Sequence, residues 1–176
     1  MLGEFMKKFL TYVIAIALPL AVGILSALLT MKNMNIYEEI RTPPMSPPSI
    51  LFPIVWTILY VLMGVSSGLI YHAGALNNGL DSEYKKLNNN LLQKQTENAL
   101  FVYLISLMLN FVWSIIFFNL RKFLLAFVIL LALLISIILT ITKYYKISKT
   151  ASFLQLPYLV WVTFAGYLNI AIYFLN

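Results

Sequence analysis

Four stretches of this chain, residues 9–31, 98–120, 123–142 and 150–176, contain no charged side chain at all. Each is at least 20 residues long, and about 20 apolar residues in a helix cross the ~30 Å hydrocarbon core of a bilayer. A fifth uncharged stretch, from Thr42 to Leu80, opens with prolines and closes in a Gly/Asn run, so only its middle reads as a span. Only 10% of the 176 residues are charged, against about 25% in an ordinary soluble domain. Five such spans leave no length for a soluble catalytic domain. An unpaired backbone polar group costs several kcal/mol in hydrocarbon, which requires every span to be helical. The expected fold is an all-α integral membrane protein, one domain over residues 1–176. It is a five-helix bundle with spans near 9–31, 50–73, 98–120, 123–142 and 150–175. Residues 74–97 form the long polar segment and are read as a loop.

Zero cysteines exclude disulfide frameworks and thiolate metal sites, and the lone His72 excludes a His-rich metal centre. No metal and no required cofactor are expected. The net charge of +6 would suggest a nucleic-acid partner in a soluble protein. Here the cations sit in short connections between apolar spans and act as topology signals, so nucleic acid is not the partner. The amino-terminal flank with the second and fourth loops holds eight Lys and Arg, and the first and third loops hold four. That bias places the amino terminus inside a bacterial cell membrane. Lys7 and Lys8 before an apolar run also resemble a signal peptide, but the run is long for one and four more spans follow, so it is read as a retained helix.

The three tryptophans lie unusually deep for membrane Trp, which usually anchors helix ends at headgroup level. Trp113 and Trp161 fall near the middle of their spans, and Trp56 one to two turns inside its own. Asn110, Trp113 and Phe117 share one helical face by i, i+3, i+7 spacing. Trp161, Ala165, Leu168 and Asn169 share another, and Phe52, Trp56, Tyr60 and Met63 a third. Such faces either line a flat aromatic pocket between helices or hold the helices together through packing and buried amide hydrogen bonds. Proton-driven and ion-coupled transport are disfavoured because no charge lies within the spans. Gly64 and Gly68 match the GxxxG close-packing pattern and Gly23 with Ala27 a weaker form, serving either the bundle or a dimer. His72, at the end of its span, reads as an interfacial imidazole and not as a haem ligand.

Three linked segments carry a resemblance that covers nearly the whole chain. Pro43, Pro47-Pro48 and Phe52-Pro-Ile-Val-Trp56-Thr lead into Leu59-Tyr60-Val-Leu-Met-Gly64. Leu109-Asn110-Phe-Val-Trp113-Ser precedes Phe117-Phe118, and Pro157-Tyr158-Leu-Val-Trp161-Val-Thr-Phe164-Ala165 precedes Leu168-Asn169. In this order and spacing they resemble the signatures of the TspO/MBR family, the tryptophan-rich sensory and translocator proteins. The resemblance implies a homodimeric five-helix fold in a lipid bilayer that binds porphyrins such as protoporphyrin IX and haem, or other planar hydrophobic ligands. By matching position it implies a ligand pocket of Trp56, Tyr60, Asn110, Trp113, Trp161, Phe164, Ala165 and Leu168, with Pro43, Pro47 and Pro48 as a lid.

The function implied is that of a membrane receptor or sensor for porphyrins. The alternatives are a transporter of porphyrins or related metabolites and a light-dependent porphyrin-degrading enzyme, for which Trp56 and Trp161 would be the catalytic candidates. The chain departs from the family pattern at Ile36, Thr42, Ser106 and Ile129, where Trp, Lys, Gln and an acidic residue are usual. No Lys or Arg follows Tyr167 or Tyr173, so the sterol motif is incomplete and cholesterol is not the expected ligand.

Overall fold

The computed structural model describes residues 2–33, 36–75 and 83–176. Five of its helical segments are long and apolar enough to cross a membrane, and they span Phe5–Asn33, Leu51–Gly74, Asn90–Asn119, Phe123–Tyr145 and Lys149–Leu175. The protein is an integral, multi-pass membrane protein. Among the described residues its α-helices are α1 (Leu2–Thr30), the single turn α2 (Ile36–Glu39), α3 (Leu51–Ala75), α4 (Glu83–Ser114), α5 (Phe123–Tyr145), the short α6 (Lys149–Phe153) and α7 (Leu156–Leu175).

The helices outrun the uncharged stretches because charge marks where hydrocarbon ends, while helical hydrogen bonding continues into water. The largest difference is at the polar segment expected to be a loop over residues 74–97. Residues 76–82 of it lie outside the described residues, but from Glu83 onward the chain is already α4. Its Glu, Lys, Leu and Gln are good helix formers, and their polarity costs nothing outside the bilayer. Thr96 is buried there against the end of α3, where a Cβ on Gly74 would lie 2.8 Å from Thr96 Oγ1.

The fifth span is broken, with α6 and α7 meeting at Leu154-Gln155. Pro157 in the first turn of α7 has no N–H to continue the hydrogen-bond ladder, so the helix restarts. The break is held from the side: Gln155 is buried and its Nε2 donates to Ser66 Oγ at 3.2 Å, while Ser66 donates to the Ala151 carbonyl at 2.6 Å.

Helix α1 packs along α3 and more lightly on α4; α5 packs on α4 and α7. Small residues set the first contact. A Cβ on Gly64 would fall 2.5 Å from Ile16 Cα, and one on Gly68 2.7 Å from the Tyr12 ring. The Gly64/Gly68 pair is therefore filled from within the bundle by α1. Helix α4 ends in a π-helical turn, Ile115–Asn119, in which Leu120 N–H reaches the Ile115 carbonyl at 3.2 Å. Arg121 then adopts φ 52°, the left-handed conformation that turns the chain sharply into α5.

Candidate functional site

The deep tryptophans are held by neighbouring helices. Trp113 is buried and its Nε1 donates to Asn169 Oδ1 at 3.1 Å, which ties α4 to α7. Asn169 Nδ2 donates in turn to the Phe123 carbonyl at 2.8 Å, at the start of α5. Asn110, also buried, donates to Tyr60 Oη at 3.1 Å and links α4 to α3. These are the interhelical amide bonds that an apolar interior makes worthwhile.

Around them the aromatic rings form a continuous layer. The Trp56 ring lies 6.3 Å from Trp113, 5.5 Å from Tyr60 and 6.1 Å from Tyr158, by centroid. Trp161 joins this layer through Phe52 at 5.9 Å and continues to Phe164 at 5.8 Å. Trp113 packs on Phe117 at 5.5 Å, one turn along the expected face. Distances and tilts of this kind are those of offset and edge-to-face ring packing.

Two spaces lie on opposite sides of this layer. The larger is a laterally open cleft of ≈ 380 Å³ between α1, α3 and α4. Trp56, Tyr60, Asn110 and Trp113 line it from the α3 and α4 side, and Gly23, Ile24, Ala27 and Thr30 from α1. The smaller is a gap of ≈ 10 Å³ enclosed by Phe52, Trp56, Trp113, Phe117, Trp161, Ala165, Leu168 and Asn169. Phe52, Trp56 and Trp113 border both, so these three rings are the partition between them.

The residues expected from sequence therefore divide. Trp56, Tyr60, Asn110 and Trp113 face usable space, whereas Trp161, Ala165 and Leu168 close on a gap too small for a ligand. Phe164 lines neither space; it is half-buried between Trp161 and Tyr167. Pro43, Pro47 and Pro48 also line neither. Pro43 is buried, and its carbonyl accepts from Ser46 N–H at 3.0 Å in a turn. The loop that carries them is pinned at its start, where Arg41 N–H donates to Asn176 Oδ1 at 2.9 Å and Glu39 pairs with Arg121 at 2.8 Å.

No sequence motif assigns a wall of the cleft to α1. The small residues Gly23 and Ala27 were its only signal, and their meaning is steric. A Cβ on Gly23 would sit 2.2 Å from Tyr60 Cε2, so glycine there lets the Tyr60 ring lie against α1. Beyond it the hydroxyls of Ser26 and Ser114 are hydrogen-bonded to each other, and Asn119 Nδ2 reaches the Leu29 carbonyl at 3.1 Å. These bonds tie the end of α1 to the end of α4.

No charged side chain among the described residues lines the cleft. Among the described residues no cluster of His, Asp or Glu is placed to hold a metal. His72 is 16 positions along α3 from Trp56, about 24 Å at 1.5 Å per residue, and packs on Tyr12. One donor beside the gap is unsatisfied: Trp161 Nε1 is buried without a hydrogen-bond partner among the described residues. Such an orphan usually marks strain or an absent partner.

Comparison with known proteins matches residues 15–175 to the profile of the TspO/MBR family. The chain is 38% identical over 171 residues to the tryptophan-rich protein TspO of Chlorobaculum tepidum, covering 97% of this chain and 98% of that one. It is 38% identical over 168 residues to the protein of the same name from Archaeoglobus fulgidus, covering 95% and 97%. Similarity extends to the translocator protein of Bos taurus, 31% identical over 153 residues and covering 86% and 82%.

Proposed function

The chain belongs to the TspO/MBR family, and from that premise we propose that it is a porphyrin-binding membrane receptor whose ligand enters the cleft between α1, α3 and α4. The observation that carries this reading is the ring partition of Phe52, Trp56 and Trp113 between the open cleft and the closed gap. A flat macrocycle stacks on Trp56 and Tyr60, which are electron-rich and turned only 30° from one another. The uncharged cleft suits the body of a porphyrin. Its propionates belong at the loop end, where Lys32 follows Thr30 in the sequence.

Occupancy is sensed through the partition. A ligand that displaces Trp56 changes its contact with Tyr158 and, through Phe52, the packing of Trp161 on α7. No resident cofactor is needed for this role, since porphyrin or haem is the ligand. The eight-to-four distribution of Lys and Arg supports an amino terminus on the inside of a bacterial cell membrane. A homodimer is part of the proposal on family membership alone.

The test is a protoporphyrin IX titration of the purified protein in the dark, followed by quenching of tryptophan fluorescence. Saturable quenching in the micromolar range is expected, with affinity about tenfold weaker in Trp56→Phe, the upper end of what one aromatic contact contributes. Non-saturable quenching, or equal affinity in the variant, overturns the assignment.

A further inference from the structure

The cleft between α1, α3 and α4 is about 2.5 times the size of the ~150 Å³ apolar cavity that accommodates one benzene ring, and a tetrapyrrole carries four linked rings. Such a ligand seats fully only if one wall moves. The α3 and α4 walls are tied into the bundle, through Asn110 on Tyr60 and Trp113 on Asn169. Helix α1 is the wall with a free side, where Ile24, Leu25 and Leu28 are more than half exposed.

Pro19 divides this helix into two halves of different character. Before it, α1 is locked to α3: a Cβ on Gly64 would lie 2.5 Å from Ile16 Cα and 2.8 Å from the Ala15 carbonyl oxygen, and one on Gly68 3.5 Å from Ala15 Cβ. Pro19 itself has no N–H, so the Ala15 carbonyl lacks its helical partner and the ladder gives way there. Beyond Pro19 lie the α1 residues that line the cleft, Leu20, Gly23, Ile24, Ser26, Ala27 and Thr30. Gly23 meets the Tyr60 ring with no side chain to interlock. This half is held at its far end by polar bonds instead. The Ser26 and Ser114 hydroxyls bond each other, Asn119 Nδ2 donates to the Leu29 carbonyl at 3.1 Å, and Asn33 Nδ2 donates to Asn119 Oδ1 at 2.9 Å.

We propose that residues 20–33 are a gate that swings on Pro19 when these bonds part and admits the ligand to the cleft from the bilayer. The tetrapyrrole as ligand rests on the porphyrin reading, whereas the hinge rests on α1 itself. Leu28 stands nine residues beyond Pro19, about 14 Å along the axis, so a bend of about 20° moves it by about 5 Å. That exceeds the ~3.5–4.0 Å contact thickness of a flat ring.

The chain has no cysteine, so introduced thiols alone take labels and cross-links. The first measurement needs no ligand: double electron–electron resonance in phosphatidylcholine nanodiscs. Spin labels on Leu28→Cys and Phe174→Cys read the far end of α1, and labels on Leu10→Cys and Phe153→Cys its anchored end; all four positions are exposed. Adding Ser114→Ala and Asn119→Ala should widen the first distance distribution by about 5 Å and leave the second unchanged. No widening, or widening at both ends, overturns the hinge. In the second measurement Ser26→Cys/Ser114→Cys is cross-linked by oxidation and mixed with protoporphyrin IX in a stopped-flow cell. Association should be about tenfold slower than in the same protein reduced. Equal rates overturn the gate, because the ligand then enters without moving α1. A widened distribution with no saturable porphyrin binding in either form overturns the porphyrin reading and leaves the hinge standing.

Discussion

Trp113 donates its indole N–H to the side-chain oxygen of Asn169 at 3.1 Å, 56 positions away in the sequence. Asn169 passes the connection on to the Phe123 carbonyl, so one amide joins α4, α7 and the start of α5. Both residues are buried, and neither bond has water to replace it.

Replacing Asn169 with Leu removes an acceptor and a donor together. Hydrogen bonds between membrane helices contribute roughly 0.6–2 kcal/mol each, so a loss of about 1–4 kcal/mol is expected for the two bonds. Unfolding in increasing denaturing detergent measures it. An unchanged midpoint would show that Trp113 and the Phe123 carbonyl find other partners.

Two tryptophans that border the closed gap, Trp56 and Trp161, differ in their exposure to usable space. Trp56 faces the open cleft and Trp161 only the ≈ 10 Å³ gap. Protoporphyrin affinity should fall about tenfold in Trp56→Phe, a loss of ~1.4 kcal/mol, and less than about threefold in Trp161→Phe. Equal losses in parallel titrations would move the ligand to the α7 side.

Gly64 and Gly166 make a matched pair of helical glycines. A side chain at Gly64 meets the backbone of α1, whereas a Cβ at Gly166 meets nothing within 4 Å. Gly64→Val should destabilise the bundle by about 1–3 kcal/mol through overpacking. Gly166→Ala should be neutral or stabilise by up to ~1 kcal/mol through helix propensity. Comparable thermal midpoints for both variants would contradict the α1–α3 contact described above.

The Glu39–Arg121 ion pair is about half exposed on both sides, at 54% and 48%. Exposed pairs of this kind contribute ~0–1 kcal/mol, so Glu39→Gln should leave overall stability nearly unchanged. Its effect should be local, with faster amide exchange in residues 36–41. If exchange there matches the wild type, the Asn176 clamp on Arg41 alone holds the loop.

What was legible in the sequence follows from the solvent. A bilayer of given thickness dictates the length of an apolar helix, so five uncharged stretches located five spans. The boundaries ran further than the charges suggested, as at Glu83, because helices do not stop where hydrocarbon does. The fifth span reads as one helix in the sequence, and its break at Gln155 emerges only in the structure, where Pro157 lacks the N–H that would continue the ladder. Helix periodicity groups Asn110, Trp113 and Phe117, but in the structure Asn110 faces the open cleft and Phe117 the closed gap, with Trp113 between them.

Where the open space lies was not written in any one segment. Sequence could group Trp161 with Ala165 and Leu168, but only the packing of α7 against Trp56 and Trp113 closes that face to ≈ 10 Å³. The cleft on the other side exists because Gly23 admits the Tyr60 ring and α1 stands away from Trp56 beyond it. Periodicity decides which side chains share a face, since that depends on spacing along one helix. A cavity is the volume left between helices distant in sequence, so only the tertiary structure decides which aromatic face is filled and which remains open.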